Sequence, residues 1–172
     1  MPRPGLTCLS GHVLFLRLIH ILAGGFWAGA GILMGWVIAP AARSAGPASA
    51  PFMQALLKRK PTVVLITAGL VTVASGIWLL AIRRPTMSRW QDWALVIGAL
   101  SGIAAVTIGI GLQRPTSKKM QALGSEIAAG GSPPNQAQQA EMGRLQGNMS
   151  RYGSILSYLF VIALSGMALG GD

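Results

Sequence analysis

Four apolar runs divide the chain, and its polar residues fall between those runs instead of alternating within them. The runs extend from about Val13 to Ala39, Pro61 to Ile82, Trp93 to Leu112 and Tyr152 to Leu169. Each is close to or above the roughly 20 residues a helix needs to cross bilayer hydrocarbon. In lipid every backbone N–H and C=O must be satisfied within its own segment, so the runs predict four spanning helices. Basic residues and prolines punctuate them. Pro40 is expected to end the first run, Arg83-Arg84-Pro85 the second and Gln113-Arg114-Pro115 the third, while Pro61 suits the first turn of the second.

The intervening segments have patterns of their own. Between Ala41 and Lys60, Phe52-Met53-Gln54-Ala55-Leu56-Leu57 forms a short amphipathic stretch before Lys58-Arg59-Lys60, as expected of a segment lying on the membrane surface. The longest polar region, about 116–150, repeats apolar residues at helical spacing: Met120, Leu123 and Ile127, then Met142, Leu145 and Met149. Gly130-Gly131-Ser132-Pro133-Pro134 interrupts it, so the region predicts a helical hairpin whose second arm is capped by Ser132 with Pro133 at its first position. The fold class that follows is all-α: one domain over residues 1–172, an integral membrane four-helix up-down bundle with the hairpin between spans 3 and 4.

Composition agrees with the pattern. Hydrophobic residues make up 52% of the 172 and charged residues 10%, where a soluble domain carries roughly 25% charged. Fourteen Lys and Arg against four Asp and Glu give a net charge of +10. Those charges sit between apolar runs and form no patch interleaved with aromatics, so they read as topogenic, with no nucleic-acid partner expected. Nine of them (Arg43, Lys58, Arg59, Lys60, Arg114, Lys118, Lys119, Arg144, Arg151) lie on the side of the hairpin and four (Arg3, Arg83, Arg84, Arg89) on the other. The positive-inside rule then places the hairpin in the cytoplasm and both termini outside, with Trp78, Trp90 and Trp93 as an outer aromatic belt. The first run is too long for a signal-peptide core of about 7–15 residues and is expected to stay as a span. Cys8 alone excludes an intramolecular disulfide and thiolate zinc spacing.

Candidate chemistry concentrates in RLIHILAGGFWAGAGILMG, residues 17–35. An ionisable residue is expensive in hydrocarbon, and lipid satisfies neither ring nitrogen of His20. Neutral imidazole ligates metals and haem iron, and Arg17, one turn earlier, is placed to meet a haem propionate. The alternative is that His20 hydrogen-bonds another helix while Arg17 reaches headgroups. Gly25/Gly29, Gly31/Gly35, Gly98/Gly102 and Gly166/Gly170 have the GxxxG spacing of close helix contact. Counted inward from the outer ends, His20, Ser75-Gly76, Gly98–Gly102 and Gly166-Met167 share a depth, which would leave a slot for a flat ring with Met167 as the internal second ligand. Asp92, beside Trp90 and Trp93, reads as a helix-start residue. No catalytic set of known spacing is present, so no catalytic residue is assigned.

The stretch LRLIHILAGGFWAGAGIL, followed by VIAPAARSAGPASAPFMQALL, SGIWLL and LQRPTSKKMQALGSEIAAGGSPP, resembles the four-span members of the copper-resistance protein D (CopD)-like bacterial membrane proteins. The related HemJ-type protoporphyrinogen oxidases bind haem b through a first-span histidine and a third-span lysine. His20 matches the histidine, but Trp93 to Leu112 contains no lysine. The resemblance therefore implies a haem-b-binding membrane protein with an electron-transfer role, and not oxidase activity or an enzyme acting on its own. Two other classes stay open. One is a non-catalytic accessory subunit of a membrane complex, or a homodimer, packed through its glycine faces. The other is a copper-handling protein using His20 with Met167.

Overall fold

The computed structural model describes residues 4–49, 52, 55–56, 59, 61–83, 85–131 and 133–170, and among these no residue is in a strand. In chain order the helices are α1 (Pro4–Ile32), α2 (Ala39–Ala45), α3 (Pro61–Arg83), α4 (Trp90–Ile108), α5 (Arg114–Ala129) and α6 (Gln136–Leu169). A π-helical turn at Leu33–Ile38 joins α1 to α2, and another at Gly109–Gln113 joins α4 to α5. Four continuous helices, Gly11–Ala45, Pro61–Arg83, Trp90–Ala129 and Gln136–Leu169, are long and apolar enough to cross a membrane. The chain has the build of a multi-pass membrane protein.

The first and third spans do not end at their prolines. A proline inside a helix lacks an N–H and its ring collides with the carbonyl four residues back. For Pro40 that carbonyl belongs to Trp36 and for Pro115 to Gly111, and both lie inside the π turns. The wider i→i+5 pairing there, Ala39 N–H to the Met34 carbonyl and Arg114 N–H to that of Gly109, makes room for the ring. Helix therefore continues to Ala45 and to Ala129.

The hairpin arms are accordingly extensions of spanning helices. α5 carries the third span onward, and the second arm is the first part of the 34-residue α6. The two arms pack against each other. The cap also differs from the expected one: Ser132 lies outside the described residues, and α6 begins after Asn135. The Asn135 side chain accepts the Gln138 N–H at 2.8 Å, while the Gln138 side chain accepts the Asn135 N–H at 3.0 Å. This capping box needs a long polar side chain three residues past the cap. Asn135 has Gln138 there, whereas Ser132 has only Asn135. On the same arm Glu141 and Arg144 form a bidentate ion pair at 2.7 and 2.8 Å on an exposed face. Of the amphipathic link, Phe52, Ala55 and Leu56 are helical; Met53, Gln54, Leu57, Lys58 and Lys60 lie outside the described residues.

α1 contacts α3 and α6, and α4 contacts α3 and α6. The interior is built of small residues and few large ones: Ala28, Ala105, Ala163 and Ser157 are buried, and Trp27 meets Phe160 edge-on at 4.7 Å. Large apolar residues such as Leu14, Ile21, Leu22, Trp78 and Leu100 face outward. A soluble protein buries such residues; one solvated by acyl chains has no such drive, and close approach of small residues holds its helices together.

Candidate functional site

His20 sits on α1 and turns toward α3. Its Nδ1 lies 2.9 Å from the Thr72 carbonyl oxygen and 3.0 Å from Ser75 Oγ. A carbonyl oxygen only accepts, so the first contact requires the proton on Nδ1. Ser75 Oγ spends its own hydrogen on backbone carbonyls, at 2.6 Å to Val71 and 3.1 Å to Thr72, and is left to accept from His20. The neutral imidazole is therefore the Nδ1–H tautomer, with a lone pair on Nε2. Among the described residues that nitrogen has no hydrogen-bond partner, and it is not sealed in, because no buried side-chain N or O among them lacks one.

Local sequence explains why the ring can reach a helix backbone at all. In a helix the side chain at i+4 covers the carbonyl of residue i. Here that position is Gly76, and a Cβ on it would come within 2.8 Å of His20 Cε1. The missing side chain opens the Thr72 carbonyl and gives the imidazole a seat. The same antiparallel register places Thr72 against Gly24, where a Cβ would lie 3.1 Å from the threonine methyl, and Gly69 against Trp27, where a Cβ would lie 2.8 Å from the indole.

The expected facing partners are thus half assembled. His20 and Ser75-Gly76 come together. Gly98 and Gly166 instead meet each other: a Cβ on Gly166 would stand 2.4 Å from the Ala94 carbonyl oxygen and 2.8 Å from Gly98 Cα. At the levels expected to leave a slot for a flat ring, the imidazole occupies the place at Gly76 and backbone that at Gly98, while a Cβ on Gly102 would meet nothing within 4 Å. Met167 is half-buried on α6, and the hydrogen bonds of His20 are both with α3. Arg17 is exposed, one turn before His20. Among the described residues no three of His, Cys, Asp and Glu gather into a metal-binding group.

The same end of the molecule is tied by polar contacts at the helix ends. An Arg83 Nη1 donates to the Gly170 carbonyl, where a cation meets the free carbonyls and negative dipole end of α6. Asp92 is buried in the first turn of α4, which suits its reading as a helix-start residue, and Thr86 Oγ1 approaches it at 3.5 Å. Trp78, Trp90 and Trp93 are all exposed. Sequence reasoning missed Thr72, whose contribution is a backbone carbonyl. The available signal was Gly76 four residues later. It also missed Gly69 as the seat of Trp27, and Phe160 as the ring that fills Gly31. Comparison with protein-family models, with curated proteins and with solved structures gives no match to this chain.

Proposed function

We propose that the chain is an up-down four-helix protein of the bacterial cytoplasmic membrane, hairpin inside and termini outside, that holds haem b on Nε2 of His20 and takes part in electron transfer. The observation that carries the reading is the tautomer. A ligating histidine characteristically donates its other ring N–H to a carbonyl or carboxylate, which fixes the ring and aims its lone pair. His20 does this toward Thr72 and keeps Nε2 uncommitted. The residues that would hold the group are His20, with Arg17 one turn away for a propionate and Met167 on α6 as the candidate second ligand. When bound, the group supplies a one-electron couple. His20 fixes the iron position, and Thr72 and Ser75 fix His20. The likeness of the first span to the CopD-like and HemJ-like group supports the same reading. The nine-to-four distribution of Lys and Arg supports the orientation.

Detergent-purified protein, expressed with haem supplementation, is expected to show a Soret band that shifts on dithionite reduction. His20→Gln retains an N–H donor for the Thr72 carbonyl but cannot ligate iron, so it is expected to stay helical and monodisperse while losing the band. A colourless wild type, or a His20→Gln variant that keeps the band, overturns the proposal. One observation favours a second reading, the accessory subunit or homodimer. Gly25 and Gly29 have open space around them, an unused GxxxG face between the exposed Leu22, Phe26 and Leu33. Purification from native membranes as a lone chain would remove it.

A further inference from the structure

A second feature lies at the opposite end of α1 and does not depend on His20. Where α1 runs past the start of α3, a groove of about 290 Å³ opens between them, walled by Phe26, Ala30, Leu33, Val64 and Leu65, with Arg59 at its mouth. From Phe26 to Leu33 the wall follows α1 for about 10 Å at about 1.5 Å per residue. Its walls are apolar, and Phe26, Leu33 and Val64 are half-exposed, so the groove is open to the membrane along its length. Arg59 is exposed, and no carboxylate among the described residues pairs with it. The chain's acids, Asp92, Glu126, Glu141 and Asp172, are all remote in sequence from this link, and Lys58 and Lys60 flank the arginine.

We infer that this groove is a binding site for one anionic phospholipid, an acyl chain lying against α1 and α3 and the phosphate on Arg59. Chemistry separates the two contributions. Bilayer hydrocarbon solvates an acyl chain as well as Phe26 or Leu33 does, so the apolar wall orients the lipid without selecting it. Selection belongs to the guanidinium charge: its two parallel N–H donors meet the phosphate of either kind of lipid, but the ammonium of a zwitterionic headgroup cancels that phosphate's charge, whereas an anionic headgroup leaves it whole. Basic sites between helices at the cytoplasmic face recognise anionic headgroups in this manner, and each cation near the surface is worth roughly fivefold in preference.

The test uses the full chain in mild detergent, equilibrated with equimolar dioleoyl-phosphatidylglycerol and dioleoyl-phosphatidylcholine, with retained lipid counted by native mass spectrometry. The wild type is expected to keep one phosphatidylglycerol per chain, preferred about fivefold or more. Arg59→Gln is expected to bring the ratio close to one, while Arg89→Gln, at the other end of the molecule, leaves it unchanged. Ala30→Trp fills the groove with the charge intact and is expected to cut retention at least fivefold, with helicity by circular dichroism confirming that the variant folds. Equal retention of the two lipids by the wild type, or an Arg59→Gln variant with the wild-type ratio, overturns the site. Equal losses in Arg59→Gln and Arg89→Gln mean a diffuse charge effect and overturn it too. Full retention by a folded Ala30→Trp variant refutes the groove.

Discussion

α1 meets α3 through side chains, whereas α4 meets α6 through backbone. In the first interface a large group from one helix sits on a glycine of the other: His20 on Gly76, Trp27 on Gly69, with Thr72 on Gly24 in the reverse sense. In the second, Gly98 and Gly166 stand with no side chain between them, and Gly170 lies against the Gln91 carbonyl. Both use glycine, for opposite ends. A glycine under a side chain makes a seat for a polar or aromatic group, and can expose a carbonyl for hydrogen bonding. A glycine against a glycine only lets two helices approach, and leaves nothing chemical at the contact. The candidate ligand is on the first kind of interface, and the second is the framework beside it.

The difference can be probed by adding the same single methyl group at three glycines. The largest effect is expected at Gly166. Its new Cβ would meet the Ala94 carbonyl oxygen at 2.4 Å and Gly98 Cα at 2.8 Å, and backbone atoms have no rotamer by which to yield. Gly166→Ala is therefore expected to force α4 and α6 apart and cost about 3 kcal/mol, the upper part of the usual overpacking range. Equilibrium unfolding in mixed micelles measures it. A cost below about 1 kcal/mol would mean that the backbone contact does not hold these helices together.

A smaller effect is expected at Gly76, where the obstacle is the edge of an imidazole at 2.8 Å, a group that can swing about its χ angles. Gly76→Ala is expected to cost about 1 kcal/mol in stability. Its functional effect is the larger one: the methyl covers the Thr72 carbonyl, His20 Nδ1 loses its acceptor, and the Soret band weakens or shifts. Stability and spectrum should separate here, and at Gly166 they should fall together. If Gly76→Ala leaves the spectrum as it was, the Thr72 hydrogen bond does not aim the ring.

Much of this architecture is legible in the sequence, and the places where it is not have physical causes. The four spans can be read because run length against bilayer thickness is a coarse test that survives errors of several residues. Their ends cannot, because a proline's effect depends on the hydrogen-bond pattern before it. The π turns at Leu33–Ile38 and Gly109–Gln113 are backbone states with no strong residue signature. The cap at Asn135 could have been chosen over Ser132 by asking which candidate has a Gln or Glu three residues on. His20 with Ser75-Gly76 could be found from depth alone, since antiparallel helices of known ends fix the level of each residue. Depth does not fix rotation about the helix axis, however, and rotation decided that Gly98 faces Gly166.

The smallest effect is expected at Gly29, and it bears on how much the GxxxG spacing means by itself. The pairs Gly25/Gly29 and Gly166/Gly170 look alike in sequence, but a Cβ on Gly29 would meet nothing within 4 Å. For the single chain, Gly29→Ala removes no contact and exchanges the poorest non-proline helix former for the best, a gain of up to about 1 kcal/mol. The unfolding midpoint of the purified monomer should rise slightly or stay where it is. That neutrality makes the variant a clean probe of the membrane around the protein. If another helix docks on the Gly25/Gly29 face, the methyl intrudes at that contact alone, and co-purification or crosslinking should fall while monomer stability does not. If neither changes, the spacing on this face contributes nothing to assembly, and the glycines that matter are those already pressed against another helix.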